Sequence, residues 1–188
     1  MALVICGGFP ISELPSSFRF WGAGSVGWFP APVIVVVVFC VVFHVFLTRT
    51  TVGRDIYAIG GNPQAALLSG VPVDARLILA YALSGVTAAA GAIVLAGRMI
   101  AGFPLAGMGS ELDSIAAVII GGASFFGGVG TVGGTLVGAL IMGVLRNGLN
   151  LMNVSAYWQT VVIGVVIVAA VWVDVVRKRA GEKGNRKS

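Results

Sequence analysis

Few residues in this sequence have side chains that commonly carry chemistry, and they do not form a catalytic set. The chain has one histidine, His44, and two cysteines, Cys6 and Cys40, all in or beside apolar segments. A single imidazole cannot build a metal site, and cysteines in apolar surroundings usually act as small buried hydrophobes. The residue types therefore predict neither an enzyme nor a protein with a metal or cofactor of its own.

The acidic residues lie in loops or at the ends of apolar stretches rather than inside them. There are seven: Glu13, Asp55, Asp74, Glu111, Asp113, Asp174 and Glu182. Ion-coupled carriers usually place ionisable side chains at membrane depth. The distribution therefore argues against a secondary carrier. It suits a pathway for a neutral, polar solute that is driven from outside the membrane part.

A glycine-rich stretch, GGASFFGGVGTVGG, covers residues 121–134. A phosphate-binding loop would end in Gly-Lys-Ser or Gly-Lys-Thr, and this stretch contains no lysine. Gly130, Gly134 and Gly138 follow one another at four-residue spacing, which is typical of closely packed helices. We predict a tight turn between packed helices rather than a phosphate site.

The composition indicates a membrane protein. Of the 188 residues 57% are apolar and 10% are charged, whereas a soluble domain has about 25% charged residues. Charge-free stretches of 21 to 32 residues separate the charged positions, and a membrane-spanning helix needs about 20 apolar residues. Six of the 12 basic residues fall in the tail Arg177–Ser188. Such a cluster indicates a cytoplasmic end rather than nucleic-acid binding.

We expect an all-α integral membrane fold, a single domain over residues 1–188 with about five spans. The stretch between residues 114 and 145 allows two interpretations, a re-entrant dip plus one span or two short spans. The second places the basic tail inside, as the charge rule requires. The N-terminal segment 1–29 is then external, and loop 48–76 and tail 177–188 are cytoplasmic. The predicted spans are Pro30–Leu47, Leu77–Gly97, one around Glu111–Phe126, Val132–Leu149 and Ala156–Val173.

Small residues in the second span, Ala88, Ala92 and Ala96, also favour close helix packing. The polar loop 48–76 contains signals for a short helix. Asn62 can cap its start, Pro63 fits its first turn, and Gly70 suits its end. A short helix exposed to the cytoplasm between two spans is a candidate docking element for a soluble partner.

Three stretches resemble the permeases of ribose/xylose-type ABC importers, relatives of the branched-chain amino-acid permeases. They are PISELPSSFRF (Pro10–Phe20), GRDIYAIGGNPQAALLSGVPVDA (Gly53–Ala75) and the long region Gly109–Gln159. The resemblance implies a permease subunit in the inner (plasma) membrane that imports a monosaccharide such as a pentose. It also implies four partners: a cytoplasmic ATPase that binds the ATP, a second permease subunit, a periplasmic sugar-binding protein and the lipid bilayer. A homodimer of permeases is expected.

The same resemblance implies that the short helix couples the permease to the ATPase. The coupling residues would be Arg54, Asp55, Tyr57, Asn62, Pro63, Gln64, Ala66, Leu67 and Gly70. Polar residues near the external ends of the spans are candidates for the substrate pathway: Glu111, Asp113, Asn147 and Asn150. Because members of this family are longer, we expect the chain to match their C-terminal part only. A non-transporting fragment or membrane scaffold is the alternative.

Overall fold

A computed structural model describes residues 15–185 of the chain. Cys6, Glu13 and the residues Arg186 and Lys187 of the basic tail lie outside this range. In chain order the elements are α1 (Ser16–Ala23), β1 (Ser25–Val26), β2 (Phe29–Pro30), α2 (Ala31–Arg49), α3 (Thr51–Gly61), α4 (Pro63–Leu68), α5 (Val73–Met99), α6 (Ser110–Ile120), α7 (Val132–Leu151) and α8 (Ala156–Asn185).

Four helices are long and apolar enough to cross a membrane. Among the described residues they are α2, α5, α7 and the part Ala156–Val176 of α8. Their positions confirm four of the predicted spans, and most of their large apolar side chains are exposed. Exposed apolar side chains on helices of this length suit contact with lipid. The helical membrane architecture expected from the sequence is therefore present.

The fifth predicted span, around Glu111–Phe126, is a shorter element. Helix α6 has 11 residues, which at 1.5 Å per residue is about 16 Å, or half of a hydrocarbon core. The helix ends where Gly121 and Gly122 follow, and Gly122 has a φ of 87°. That backbone conformation favours glycine. The remainder of the predicted span is the turn between α6 and α7, residues 121–131, called here the glycine-rich turn.

The described residues form two compact units. One consists of the residues up to Phe46 with Pro72–Met108, and the other consists of Leu47–Val71 with the residues from Gly109 onwards. In the first unit α1 packs on α5, with the backbones of Gly22 and Gly97 in direct contact. Close packing on α5 thus involves Gly97, whereas Ala88 and Ala92 are exposed.

The first unit also contains a helix and a β-hairpin that the sequence did not predict. Residues 16–23 form helix α1, although the surrounding glycines and prolines favoured a loop. Strands β1 and β2 pair as a two-residue antiparallel hairpin, with Val26 opposite Phe29. The turn between them contains Gly27 at a φ of 65°, a conformation that glycine adopts without steric cost.

In the second unit α6 and α7 form an antiparallel hairpin. Gly138 lies against the Ala117 carbonyl, and Gly134 lies against the Gly121 carbonyl. The absence of side chains on these glycines lets the two backbones meet, as the four-residue glycine spacing predicted. The hairpin and α8 share a small core of Ala116, Ala117, Met142 and Ile163. The predicted tight turn between packed helices is confirmed.

Candidate functional site

The first candidate site is the segment formed by α3, Asn62 and α4, called here the coupling segment. Helix α3 was predicted as loop, and that prediction was wrong. Its start is capped by the Thr50 hydroxyl, which accepts a hydrogen bond of 3.0 Å from the Gly53 amide. Gly53 and Ile59 are the buried residues of α3. The polar loop expected at 48–76 is therefore mostly helical, and Thr50, Asn62 and residues 69–72 lie between helices.

Asn62 is the junction between α3 and α4. Its amide donates to the Ala58 carbonyl at 3.0 Å and so closes the end of α3. Its side-chain Oδ1 accepts hydrogen bonds of 3.1 Å from the amides of Gln64 and Ala65, which begin α4. An asparagine at this position satisfies amides that a helix start leaves unpaired. Pro63 occupies the first turn, so the predicted start of the short helix is confirmed.

Helix α4 ends in a Schellman motif. The Val71 amide donates to the Ala66 carbonyl at 3.1 Å, and the Gly70 amide donates to the Leu67 carbonyl at 3.0 Å. Gly70 has a φ of 82°, the left-handed conformation that this motif requires. The backbone carbonyls at the end of α4 are therefore paired locally. The helix is only six residues long, and local hydrogen bonds cap it at both ends.

The side chains of α4 divide between a buried and an exposed face. Ala66 is 5% exposed and packs inside the unit, whereas Leu67 is 62% and Leu68 is 89% exposed. Pro63 and Gln64 are also exposed. Leu68 was not among the predicted coupling residues, although a second apolar residue beside Leu67 was visible in the sequence. The face available to a partner is therefore made by Leu67 and Leu68, and Ala66 supports it from beneath.

The remaining predicted coupling residues lie on α3. Arg54 is exposed and Asp55 is half-buried. Tyr57 is directed towards the glycine-rich turn, and its hydroxyl donates a hydrogen bond of 2.8 Å to the Gly130 carbonyl. Tyr57 is thus brought together with the glycine-rich turn, a contact that the sequence did not predict.

Backbone contact continues at the end of α3. A Cβ atom added to Gly60 would lie 2.6 Å from the Gly128 amide nitrogen, and one added to Gly127 would lie 2.6 Å from the Gly60 carbonyl oxygen. Real Cβ atoms do not approach so closely, so glycine is required on both sides. At Gly60 the coupling segment and the glycine-rich turn therefore meet directly through backbone.

The turn is also attached to α8. The Asp174 Oδ2 atom accepts hydrogen bonds from the Ser124 hydroxyl at 3.0 Å and from the Phe125 amide at 3.1 Å. Hydrogen bonds to a carboxylate are about twice as strong as those between neutral groups. Asp174 was predicted only as an acid at the end of a span. It in fact fixes the glycine-rich turn to the last helix.

The second candidate site lies at the other end of the α6–α7 hairpin. Asp113, in the first turn of α6, forms a salt bridge with Arg146 of α7, with 2.7 Å between Arg146 Nη2 and Asp113 Oδ2. The predicted pathway residues Glu111 and Asn147 are exposed close to this pair. An acid near the start of a helix also interacts favourably with the helix dipole.

Asn150 lies one turn beyond Arg146 on α7. The Gln159 side-chain amide donates to Asn150 Oδ1 at 2.8 Å and to the Val154 carbonyl at 2.9 Å. Arg146 and Gln159 were missed as members of this group. The opposite charges of Asp113 and Arg146 could have suggested the first pairing, but 33 residues separate them in the sequence. This polar group and the coupling segment therefore lie at opposite ends of one helical hairpin.

Comparison with known proteins identifies the family of this chain. The family described as the permease component of branched-chain amino acid transport systems matches residues 7–171. The chain belongs to this permease family. The resemblance predicted from Pro10–Phe20, Gly53–Ala75 and Gly109–Gln159 is thereby confirmed, and the family is one of transport permeases.

Relatives of the permease chain are named for sugar import. It is 44% identical over 176 residues to the ribose import permease protein RbsC of Bacillus subtilis (strain 168), covering 93% of this chain and 55% of the relative. It is 43% identical over 150 residues to the xylose transport system permease protein XylH of Haemophilus influenzae (strain ATCC 51907 / DSM 11121 / KW20 / Rd), covering 80% of this chain and 40% of the relative.

A third relative, the ribose import permease protein RbsC of Escherichia coli (strain K12), is 44% identical over 179 residues, covering 93% of this chain and 56% of the relative. The permease chain thus spans about half the length of the curated relatives that it matches. No solved structure matches the chain.

Proposed function

We propose that this chain is the membrane part of an ATP-driven importer of a monosaccharide of the pentose class. The observation that carries the proposal is its identity of 44% with ribose import permeases over 93% of its own length. The relatives are named for ribose and xylose, both neutral and polar solutes. A pathway for such a solute needs no ionisable residue at membrane depth, in agreement with the positions of the acids.

In this proposal the coupling segment binds a cytoplasmic ATPase, which holds the ATP. The exposed Leu67 and Leu68 form the contact, and the caps at Asn62 and Gly70 hold α4 in a fixed orientation. A preformed helix with an apolar face loses little conformational entropy when a partner groove closes on it. A second permease subunit and a periplasmic sugar-binding protein complete the assembly.

The proposed orientation places the N-terminus outside and the C-terminus in the cytoplasm of a multi-pass inner-membrane protein. Within the second unit, the coupling segment, the glycine-rich turn and Asp174 of α8 are joined at one end. The sequence assigns the loop at 48–76 and the basic tail after Asp174 to the same side. This contact supports the proposed orientation, because it joins the loop at 48–76 to Asp174, the residue that precedes the basic tail.

The docking proposal can be tested by co-purification of the chain with the ATPase subunit from membranes. Burying a leucine contributes about 1.5–3 kcal/mol, so the double change Leu67→Asp and Leu68→Asp should weaken ATPase binding at least about tenfold. The matched control, Leu67→Met with Leu68→Met, keeps an apolar face and should bind as the native chain does. Undiminished binding by the aspartate variant would rule out α4 as the docking element.

Uptake of labelled ribose or xylose in cells tests the solute class.

A further inference from the structure

The glycine-rich turn is a compact unit in its own right. The Ser124 amide donates to the Val129 carbonyl at 2.9 Å, and the Gly127 amide donates to the Ser124 carbonyl at 3.1 Å. The Phe126 amide also donates to the Ser124 hydroxyl at 3.3 Å. Because these bonds close the turn on itself, a displacement of one part of it moves the remainder.

This closed turn is held from two sides. On one side Tyr57 donates to the Gly130 carbonyl, and Gly60 meets Gly127 and Gly128 through backbone. On the other side the Asp174 carboxylate accepts from the Ser124 hydroxyl and the Phe125 amide. Backbone contacts and hydrogen bonds therefore connect the coupling segment, the glycine-rich turn and α8 closely. Because packed protein interiors transmit strain, a displacement of one of them is passed to the others.

The turn continues directly into the α6–α7 hairpin. Gly121 begins the turn and lies against Gly134 in the first turn of α7 through backbone, and Gly138 continues the contact along Ala117. At the far end of the hairpin lie Asp113 and Arg146. A tilt of the turn therefore also moves the far end of the α6–α7 hairpin, where the candidate pathway residues lie.

We infer that Tyr57 and Asp174 are positioning residues that clamp the glycine-rich turn between the coupling segment and α8. Through this clamp, movement of the coupling segment reaches the α6–α7 hairpin. The inference rests on the proposed function, since an ATPase must supply the movement. It assigns a role to three features that docking alone does not use: the Tyr57 hydroxyl, the Asp174 carboxylate and the glycines of the turn.

The clamp itself is tested on the whole 188-residue chain in lipid nanodiscs by amide hydrogen exchange. Asp174→Ala removes the acceptor of the Phe125 amide and should speed exchange there at least about tenfold. Asp174→Asn keeps a side-chain oxygen and should have a smaller effect. Tyr57→Phe should speed exchange across Ser124–Gly130, whereas Tyr157→Phe, at an exposed tyrosine of α8, should not. Native exchange in both Tyr57→Phe and Asp174→Ala would overturn the clamp.

The relay is tested with the ATPase bound, by measuring ATP hydrolysis with and without ribose and the sugar-binding protein. Asp174→Ala, which lies outside the coupling segment, should retain ATPase binding in co-purification. In this variant and in Tyr57→Phe the ratio of stimulated to basal hydrolysis should fall towards one. A purely structural role would lower membrane levels and both rates together. If the variants keep the native ratio, the relay is wrong and docking stands. If the native chain binds no ATPase, the proposed function fails and the relay with it, whereas hydrogen exchange still decides the clamp.

Discussion

The Tyr57 hydroxyl donates a hydrogen bond of 2.8 Å to the Gly130 carbonyl, across 73 residues of sequence. It joins two stretches that have different signatures in the sequence, a polar loop with a short helix and a glycine-rich turn. Neither stretch contains a lysine, so neither has the Gly-Lys-Ser or Gly-Lys-Thr ending of a phosphate-binding loop. Their contact explains both compositions, because the glycines on each side allow two backbones to touch.

Replacing Gly60 with alanine should separate the coupling segment from the glycine-rich turn. The added Cβ would lie 2.6 Å from the Gly128 nitrogen, which is backbone and cannot move aside alone. Overpacking of this kind costs about 1–3 kcal/mol. We expect a lower midpoint of thermal unfolding for the purified chain in detergent, together with faster hydrogen exchange in residues 124–130.

Gly61→Ala is the matched control for that change. Gly61 is the last residue of α3, and a Cβ added there meets nothing within 4 Å. Alanine at a helical position is favoured over glycine by about 0.5–1 kcal/mol. The control should therefore be neutral or slightly stabilising. Equal losses of stability in the two variants would contradict the backbone contact.

Asn62→Ala should fray the start of α4. The change removes the acceptor of the Gln64 and Ala65 amides, and loss of such a cap costs about 0.5–2 kcal/mol. Hydrogen exchange at these two amides should rise by about twofold to thirtyfold, with little change elsewhere. Asn62→Asp keeps a capping oxygen and should leave both amides protected. Protected amides in Asn62→Ala would mean that the side chain does not cap the helix.

The sequence predicted those parts of the fold that depend on residues close together in the chain. The ends of α4 depend on residues within five positions of one another, so Asn62, Pro63 and Gly70 specified them locally. The four long spans depend on length and apolar character, which are also local. Helix α3 was missed because Gly53, Gly60 and Gly61 lower its helix propensity. Its stability comes in part from distant residues in the glycine-rich turn, which no local pattern reveals.

In the candidate sites, too, the sequence predicted local features but not contacts between distant residues. Leu67 and Ala66 were both predicted as coupling residues, but Leu67 is exposed whereas Ala66 lies on the buried side of α4. Deciding which face of a six-residue helix is buried requires its neighbours in space. The partners of Asp113 and Asp174 are 33 and 50 residues away in sequence. Such pairings depend on how helices are rotated against each other, and a single sequence carries no direct record of that rotation.

The contact of Gly138 with Ala117 predicts a second matched pair of variants, on α7. Gly138→Ala would place a Cβ against the Ala117 carbonyl, whereas a Cβ on Gly143 meets nothing within 4 Å. We expect Gly138→Ala to destabilise the α6–α7 hairpin by about 1–3 kcal/mol. Gly143→Ala should be neutral or stabilising. Denaturant unfolding of both variants in the same detergent measures the difference, and equal midpoints would contradict the close approach.

The Asp113–Arg146 pair should contribute only modestly to stability in detergent. The two side chains are 26% and 44% exposed, and exposed ion pairs are typically worth about 0.2–1 kcal/mol. A double-mutant cycle with Asp113→Asn and Arg146→Gln should give a coupling energy in that range. The cycle separates the pair from the favourable position of Asp113 near the start of α6, because that interaction remains when only Arg146 is changed.

In 1 M salt the Debye length falls to about 3 Å, so the coupling energy of the Asp113–Arg146 pair should shrink. A coupling energy of several kcal/mol that does not change with salt would instead mean that the pair is shielded from solvent.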